Sequence, residues 1–228
     1  MLLIKSLDRQ DLQKTKKGFN AWTPFYFRIR NWVYGKSIAT IQEAFLDDLP
    51  KNQNHLIIGD GNADIANALL RFANPTHCHL VDASPRMLEH ARKQLTALNC
   101  CTFEVKSLQH FKSYSTVDVL HLPFVLDLLS DEEIIELSEK WYSRLPETAH
   151  IHIIDFNAER NRFHQKLLYT IFKITTGTNR KTLPKLTHLL SAKWAPTQSL
   201  KSGRFKAIIL KKQRLFPSKK DYKVSALL

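Results

Sequence analysis

The chain has 228 residues, of which 43% are hydrophobic and 24% are charged, and it contains only 6 glycines and 9 prolines. This composition excludes a disordered, collagenous or low-complexity chain and predicts one large globular domain with a sizeable core. The net charge of +13 is uneven, because residues 51–150 carry −4 and residues 151–228 carry +14. The basic final third leaves three partners open: a nucleic acid, an anionic membrane surface or an acidic partner.

Residues 1–50 are predicted to form an N-terminal helical lid. Aromatic residues are dense between residues 19 and 34, and apolar residues at helical spacing predict a further helix over residues 37–46. A polar break at residues 50–54 separates this lid from residues 51–228, which are predicted to form the main domain. The aromatic residues suit an apolar substrate pocket, contact with a membrane, or packing of the helices on the core.

Residues 51–155 alternate between short apolar strands and helices. Strands are predicted over residues 55–59, 78–82, 102–106, 117–122 and 149–155. Helices are predicted over residues 64–72, from the capping signal Ser84-Pro85 to residue 98, and from the capping box Ser130–Glu133 to residue 144. This alternation predicts a parallel sheet with helices on both faces.

The pattern changes after residue 155. Helices are predicted over residues 161–175 and 182–190, and residues 158–191 are interpreted as a helical cap insertion. Two extended runs, residues 193–200 and 205–215, flank the turn signal Ser202-Gly203. We therefore predict an antiparallel terminal hairpin joined to the parallel sheet.

The first signal of a binding site is the glycine turn at residues 59–61 (Gly-Asp-Gly), between the first strand and its helix. Glycines allow a sharp turn there and a close approach of a ligand to the backbone. Asp82 ends the second strand, where a carboxylate can accept hydrogen bonds from both hydroxyls of a ribose. The pair suits a dinucleotide or S-adenosylmethionine (SAM). Because the Asp64 carboxylate at the helix start would repel a pyrophosphate, a cationic or zwitterionic ligand is favoured.

Four segments resemble the class I SAM-dependent methyltransferases: residues 56–64 (LIIGDGNAD), 81–92 (VDASPRMLEHAR), 118–133 and 151–156. The resemblance covers roughly residues 20–215 and is most specific in the run after Asp82. It is closest to a small bacterial subgroup with a Gly-Asp-Gly turn, and the aromatic N-terminus resembles the lead-in helices of quinone- and phospholipid-type methyltransferases. The resemblance implies SAM as the cofactor. It also implies an α/β, Rossmann-like three-layer sandwich with a mostly parallel seven-stranded sheet.

The resemblance further implies roles for individual residues. The loop of Gly59, Asp60 and Gly61 would lie under the amino-acid moiety of SAM, and Asp82 would hold the ribose. The remaining implied cofactor positions are Ala83 and Met87 at the adenine, Ser107 and Leu108 after the third strand, Leu122 beside the methyl donor, and Tyr26 closing over the cofactor. Two positions depart from the family's pattern: Ile57 and Lys106 stand where acids are usual.

Methyl transfer requires an acceptor aligned with the S–CH3 bond and the exclusion of water. An oxygen acceptor also needs a base, and His121 is the candidate, with His164 and Asp155 as alternatives. On this ground oxygen methylation is slightly preferred over carbon methylation. The structural alternative for His121 is a histidine satisfied by backbone groups. The histidine pairs 77/79 and 150/152 lack partners at ligand spacing, so they are predicted to be structural and no metal is expected.

The predicted function is methyl transfer to a small apolar or aromatic acceptor, such as a quinone, polyketide, polyene or lipid-like molecule. The alternatives are an RNA or protein methyltransferase that uses the basic third, and a non-catalytic partner subunit with the same fold. Apolar and basic residues alternate at helical spacing over residues 160–180, which favours an anionic membrane over nucleic acid, with a solvated helix face as the alternative. Three cysteines without a CxxC motif, and no long apolar run, predict a cytoplasmic or membrane-peripheral location. The oligomeric state is left open.

Overall fold

A computed structural model describes residues 38–157 and 183–213, which form a central seven-stranded sheet with helices. The strands are β1 (Asn54–Ile58), β2 (His77–Asp82), β3 (Cys101–Val105), β4 (Val119–Pro123), β5 (His150–Phe156), β6 (Trp194–Ser202) and β7 (Phe205–Lys212). The helices are α1 (Asp64–Phe72), α2 (Pro85–Gln94), α3 (Asp131–Arg144) and α4 (Leu186–Leu190), with 3-10 turns at Leu108–His110 and Leu126–Leu128.

The sheet has the strand order β3-β2-β1-β4-β5-β7-β6. The first five strands are parallel to one another, and β7 pairs antiparallel with both β5 and β6. The predicted fold class, a mostly parallel seven-stranded sheet with an antiparallel terminal hairpin, is confirmed. The chain builds outward from β1 in one direction and from β4 in the other, so the order reverses between these two strands. In open α/β sheets, ligands bind in the crevice beyond the carboxyl ends of the strands at such a reversal.

Each face of the sheet carries its own apolar core. One core contains the buried Trp141 of α3 and Trp194 of β6, and the other contains Ile65 and Leu69 of α1 together with Ile41 from the N-terminal region. Alternate residues of a strand point to opposite faces, so Leu56 and Ile57 enter different cores. This arrangement is the predicted three-layer sandwich.

The helix α2 is shorter than predicted, because it ends at Gln94 rather than at residue 98. The side chain of Asn67, on α1, accounts for this end. Its amide nitrogen donates to the Gln94 carbonyl at 3.0 Å, and its oxygen accepts the backbone N–H of Thr96 at 3.0 Å. Both groups would otherwise seek partners in a continuing helix. Residue 95 is accordingly extended, and the tertiary contact ends the helix.

Local signals set the starts of α2 and α3 as predicted, whereas α4 begins at Leu186 rather than at residue 182. The side chain of Ser84 accepts the backbone N–H of Met87 at the start of α2. Ser130 and Glu133 form the predicted capping box of α3, with the Ser130 N–H donating to Glu133 at 2.7 Å. A capping box satisfies donors that a helix leaves unpaired at its N-terminus.

The predicted lid and cap are described only in part. Residues 38–42 are helical, and α4 covers the end of the predicted 182–190 helix. Tyr26, His164, the aromatic residues 19–34 and the predicted helix 161–175 lie outside the described residues. In the part of the chain that is described, no helix has the length and apolar character needed to cross a bilayer.

Candidate active site

Gly59 follows β1 in a backbone conformation that favours glycine. Its φ is +86°, and its N–H donates to the Val81 carbonyl at 2.9 Å. A Cβ atom on this residue would lie 2.6 Å from Cγ2 of Val125, in the segment that follows β4. The positive φ and the close contact with the Val125 side chain therefore favour glycine here. Gly59 thus joins the ends of β1 and β4 at the reversal of the sheet.

Asp60 is buried and caps helix α1. Its Oδ1 accepts the backbone N–H of Asp64 at 2.9 Å, and its Oδ2 accepts that of Ala66 at 3.0 Å. These N–H groups belong to the helix N-terminus, where a carboxylate also interacts favourably with the helix dipole. Asp60 therefore holds the glycine turn against the helix that follows it.

Gly61 packs against the side chain of Met87, which is the first contact a Cβ atom at this position would make. Met87 is buried at 6% exposure, and Ala83 lies half-buried just before α2. The turn after β1 and the start of α2 are therefore in direct contact. Of the predicted adenine-side residues, Met87 meets the glycine turn itself.

Asp82 is the last residue of β2, beside the glycine turn. Its Oδ1 accepts the backbone N–H of Ser84 at 2.7 Å, and its Oδ2 has no protein partner among the described residues. Burial raises the pKa of Asp82 to about 6, and the hydrogen bond from Ser84 opposes that rise. The carboxylate thus offers one acceptor oxygen at the carboxyl edge of the sheet.

The residues after β3 complete this side of the site. Oγ of Ser107 lies 2.7 Å from Nδ1 of His110, whereas Leu108 is buried in the core. Lys106 forms an ion pair with Glu104. We call the carboxyl ends of β1, β2 and β3, with Gly59 and Asp82, the glycine edge.

The carboxyl end of β4 diverges from β1. Pairing between them ends at Ile57 and His121, although β4 continues to Pro123 beside β5. Phe124 then adopts a φ of +54°, which is rare for a bulky side chain, and its N–H donates to the Ile154 carbonyl at 2.7 Å. Backbone strain of this kind concentrates at functional sites. This segment adjoins the glycine turn at the sheet reversal, through the contact between Val125 and Gly59.

Three phenylalanine rings meet at the same edge of the sheet. Phe124, Phe156 at the end of β5 and Phe205 at the start of β7 have ring centroids 5.3 to 5.6 Å apart in each pairing. Phe205 is buried, and the other two rings are half-buried. We call these three residues the aromatic cluster, and the carboxyl ends of β4 and β5 with the start of β7 the aromatic edge. None of the three was singled out from the sequence, where the aromatic residues at strand ends were the only signal.

His121, the candidate base, lies in the middle of β4 and is fully buried, whereas the predicted strand 117–122 has it near the carboxyl end. Its Nε2 is 2.9 Å from Nδ1 of His55, and its Nδ1 is 3.0 Å from Nδ1 of His152. We call these three residues the histidine row. Both ring nitrogens of His121 are therefore occupied by other histidines. His55 was not proposed as a site residue from the sequence. It lies two residues before Ile57, which is the register partner of His121, so the side chains of His55 and His121 point to the same face of the sheet.

The histidine row is neutral at physiological pH. Burial lowers the pKa of His55 to about 4, with a small opposing effect of Asp118, and lowers the pKa of His152 to about 3. Burial and the two neighbouring rings hold the pKa of His121 well below its usual range. Among the described residues, no group of three or more His, Cys, Asp or Glu side chains is arranged to hold a metal ion.

Two further predicted residues lie close to the aromatic edge. Leu122 is fully buried in the core that contains Trp141, so its side chain supports β4 from that face. Asp155, the alternative base, is nearly fully buried near the end of β5, and its Oδ1 lies 2.7 Å from the Phe156 backbone nitrogen.

Residues 56–148 match the family model described as a methyltransferase domain. No curated protein sequence matches the chain at a significant level. Among solved structures, the fold is similar to LaPhzM, with 19% identity and a TM-score of 0.64, over 87% of this chain and 62% of that one. This chain therefore spans less than two thirds of the length of LaPhzM.

Two other structures are similar in fold. The mitomycin 7-O-methyltransferase MmcR has 16% identity and a TM-score of 0.65, over 90% of this chain and 67% of that one. DhpI, solved as a complex with SAH, has 14% identity and a TM-score of 0.68, over 89% of this chain and 97% of that one. Residues 56–148 thus match a methyltransferase domain, and the strand order and the solved structures show the same overall fold around it.

Proposed function

We propose that the enzyme transfers the methyl group of SAM to a small apolar or aromatic acceptor, with oxygen as the preferred methylated atom. The observation that carries this proposal is the aromatic cluster, which lies across the sheet reversal from the glycine turn. The tilted and edge-on rings offer apolar surface for a planar apolar ligand. MmcR, a structural neighbour, is by its name an O-methyltransferase of a small molecule.

The residues of the glycine edge are arranged so that each could bind a different part of SAM. Gly59 and Gly61 would run under the amino-acid moiety of SAM, and the second oxygen of Asp82 would accept from the ribose. Ala83, Met87, Ser107 and Leu108 would surround the adenine, where a serine paired with His110 replaces the usual acid. Asp60 would act on this site through the turn, because both of its oxygens accept N–H groups of α1.

The reaction needs positioning more than acid–base chemistry. Bound SAM would supply its methyl group to the acceptor oxygen, and the products would be the methyl ether, S-adenosylhomocysteine and one proton. Alignment of the two reactants and exclusion of water supply most of the rate enhancement. A sulfonium next to aromatic faces also gains from cation–π attraction.

The proton acceptor remains a proposal with two candidates among the described residues. His121 would act only if the histidine row opened, because both of its nitrogens face other histidines. Asp155 lies closer to the edge, next to Phe156 of the aromatic cluster. Replacement of a catalytic base flattens the pH dependence of kcat, whereas loss of a structural histidine lowers Tm and leaves the shape of the pH profile unchanged. The variants His121→Asn and Asp155→Asn therefore distinguish these roles.

The experiment that tests the function measures S-adenosylhomocysteine formation with a panel of acceptors. The panel contains phenols, hydroquinones, lipid-like alcohols, arylamines and, in separate arms, total RNA and a denatured protein mixture. We expect turnover with a hydroxylated aromatic acceptor and none with RNA or protein. Calorimetry with SAM is run first, because a chain that binds no SAM at millimolar concentration is not an active methyltransferase.

Two outcomes would overturn the proposal. Turnover confined to the RNA or protein arm would assign the acceptor to the basic third of the chain. SAM binding without turnover in any arm, combined with activity restored by a copurified protein, would make the chain a partner subunit. A parallel arm with liposomes of anionic and of neutral lipid tests the proposed membrane contact, which requires retention on the anionic vesicles alone.

A further inference from the structure

The three cysteines of the chain meet where β2 pairs with β3. Cys78 of β2 and Cys101 of β3 are direct register partners in the parallel ladder, and Cys100 precedes Cys101. The backbone N–H of Cys78 donates to the Cys100 carbonyl at 2.8 Å. All three are free thiols. Residues far apart in the sequence are thus brought together as a thiol cluster.

The geometry of Cys78 and Cys101 is compatible with a disulfide. Neighbouring strands lie about 4.8 Å apart, which places paired Cα atoms within the range of about 4.4–6.8 Å that disulfides span. Both side chains point to the same face, because both pack against the core that contains Leu69 and Leu80. The two thiols also influence each other's acidity across the ladder.

The two thiols differ in access and in acidity. Cys78 is fully buried, whereas Cys101 is half-buried, and its Sγ lies 3.6 Å from the Ala97 carbonyl oxygen. Interaction with the Cys78 side chain lowers the pKa of Cys101 below that of an ordinary thiol, and the same interaction raises the pKa of Cys78. The thiolate is the reactive form, so Cys101, the more accessible of the two thiols, is also the more nucleophilic one.

We propose that Cys78 and Cys101 form a redox site that is converted to a disulfide by a peroxide. The Cys101 thiolate attacks the peroxide, the O–O bond breaks, and Cys101 becomes a sulfenic acid while water or an alcohol leaves. The Cys78 sulfur then attacks the Cys101 sulfur, the S–S bond forms and water leaves with the Cys78 proton. The peroxide is reduced by two electrons and the pair is oxidised by two.

The cross-link would restrain two of the strands that form the glycine edge. It ties the edge strand β3 to β2, which ends at Asp82, and the Lys106 N–H after β3 already donates to the Asp82 carbonyl at 2.9 Å. A reducible disulfide at this position suits a transient redox response, which is the usual role of disulfides in reducing compartments.

The test treats the folded protein with hydrogen peroxide, blocks the remaining thiols and measures intact mass and tryptic peptides. We expect the loss of two hydrogen masses, reversed by dithiothreitol, and a cross-link between the peptides of residues 72–86 and 94–106. The matched control Cys100→Ser should retain this cross-link, and Cys101→Ser should lose it. In Cys78→Ser the reaction should stop at a sulfenic acid that dimedone traps.

Three results would overturn the proposal. A disulfide confined to the 94–106 peptide would show that Cys100 and Cys101 react with each other. Loss of the cross-link in Cys100→Ser would assign the reaction to Cys100. Oxidation seen only after denaturation in urea would mean that the folded pair is inert. Because each single substitution is read by mass on protein with a retained circular dichroism spectrum, misfolding is separated from lost reactivity.

Discussion

The glycine edge and the aromatic edge of the same sheet are built by different means. The glycine edge is polar, and short hydrogen bonds within single turns position its groups, as for Asp60 on α1 and Asp82 on Ser84. The aromatic edge is apolar, and its rings come from the segment after β4 and from strands β5 and β7. The glycine edge therefore presents fixed hydrogen-bond acceptors and glycine backbone, and the aromatic edge presents an apolar surface.

In the proposed reaction, this difference indicates that the glycine edge would bind the cofactor and the aromatic edge would bind the acceptor. The cofactor is the same in every turnover, so its side benefits from local geometry that does not depend on distant packing. The acceptor is bound by shape, so its side depends on how β4, β5 and β7 come together. Changes at the glycine edge should therefore affect SAM affinity, and changes at the aromatic edge should affect the acceptor.

The largest effect is expected on the free energy of unfolding at acidic pH, because the histidine row crosses the boundary between the two edges. His55 belongs to β1, whereas His121 and His152 belong to β4 and β5. Their folded pKa values lie below the unfolded value of about 6.5, with His55 near 4 and His152 near 3. The unfolded chain therefore binds more protons below pH 6.5, so the stability is complete above that pH and falls as the pH drops towards 4. Each histidine contributes about 1.4 kcal/mol per pH unit.

Urea denaturation followed by tryptophan fluorescence between pH 7.5 and 4.5 measures this slope. The variant His152→Gln should show a shallower slope, and His188→Gln, which replaces an exposed histidine, should match the wild type. An unchanged slope in His152→Gln would mean that the row does not control acid stability. A single transition at every pH would show that the two edges unfold together.

The next largest effect is expected for Gly59→Ala. Alanine would have to keep the left-handed backbone conformation of Gly59, and its Cβ would lie too close to Val125. We therefore expect a loss of about 3 kcal/mol in the free energy of unfolding. SAM affinity should fall as well, because the turn must move. Gly203→Ala is the matched control, since Gly203 also has a positive φ but no atom within 4 Å of its Cβ position. Equal losses in the two variants would exclude the contact with Val125 as a cause.

Asp82→Asn should separate the cofactor from the acceptor. Asparagine can still accept the Ser84 N–H, but it loses the charged acceptor for the ribose, so the Kd of SAM should rise by roughly 10- to 100-fold. In the wild type, SAM affinity should fall below about pH 6 as Asp82 is protonated, and the variant should lose this dependence. Calorimetry at pH 5 and pH 8 measures both. The exposed Asp47→Asn should behave as the wild type, and a pH dependence that survives in Asp82→Asn would assign it to another group.

The smallest effect is expected for Phe156→Ala. Removal of one ring from the aromatic cluster should raise the KM of an aromatic acceptor by roughly tenfold, at unchanged SAM affinity. Phe103→Ala removes a ring from β3, where Arg92 lies over it, and serves as the control. A KM change as large in Phe103→Ala as in Phe156→Ala would erase the distinction between the edges.

Several parts of this fold followed from residues close together in the sequence. The bounds of α1 and α3, the start of α2 and the terminal hairpin all agree with their caps, spacing and turn residues. The end of α2 did not, because Asn67 of another helix ends it. For the site, the sequence placed Gly59 and Asp82 at one edge because each ends a predicted parallel strand.

The sequence by itself determined the polar half of the site, since caps and turns are formed by groups a few residues apart. Only the tertiary structure decided the aromatic cluster, the histidine row and the thiol pair. Each of these joins residues from different strands, and their contacts depend on strand order and register. A shift of one residue in the register would turn each side chain to the opposite face of the sheet.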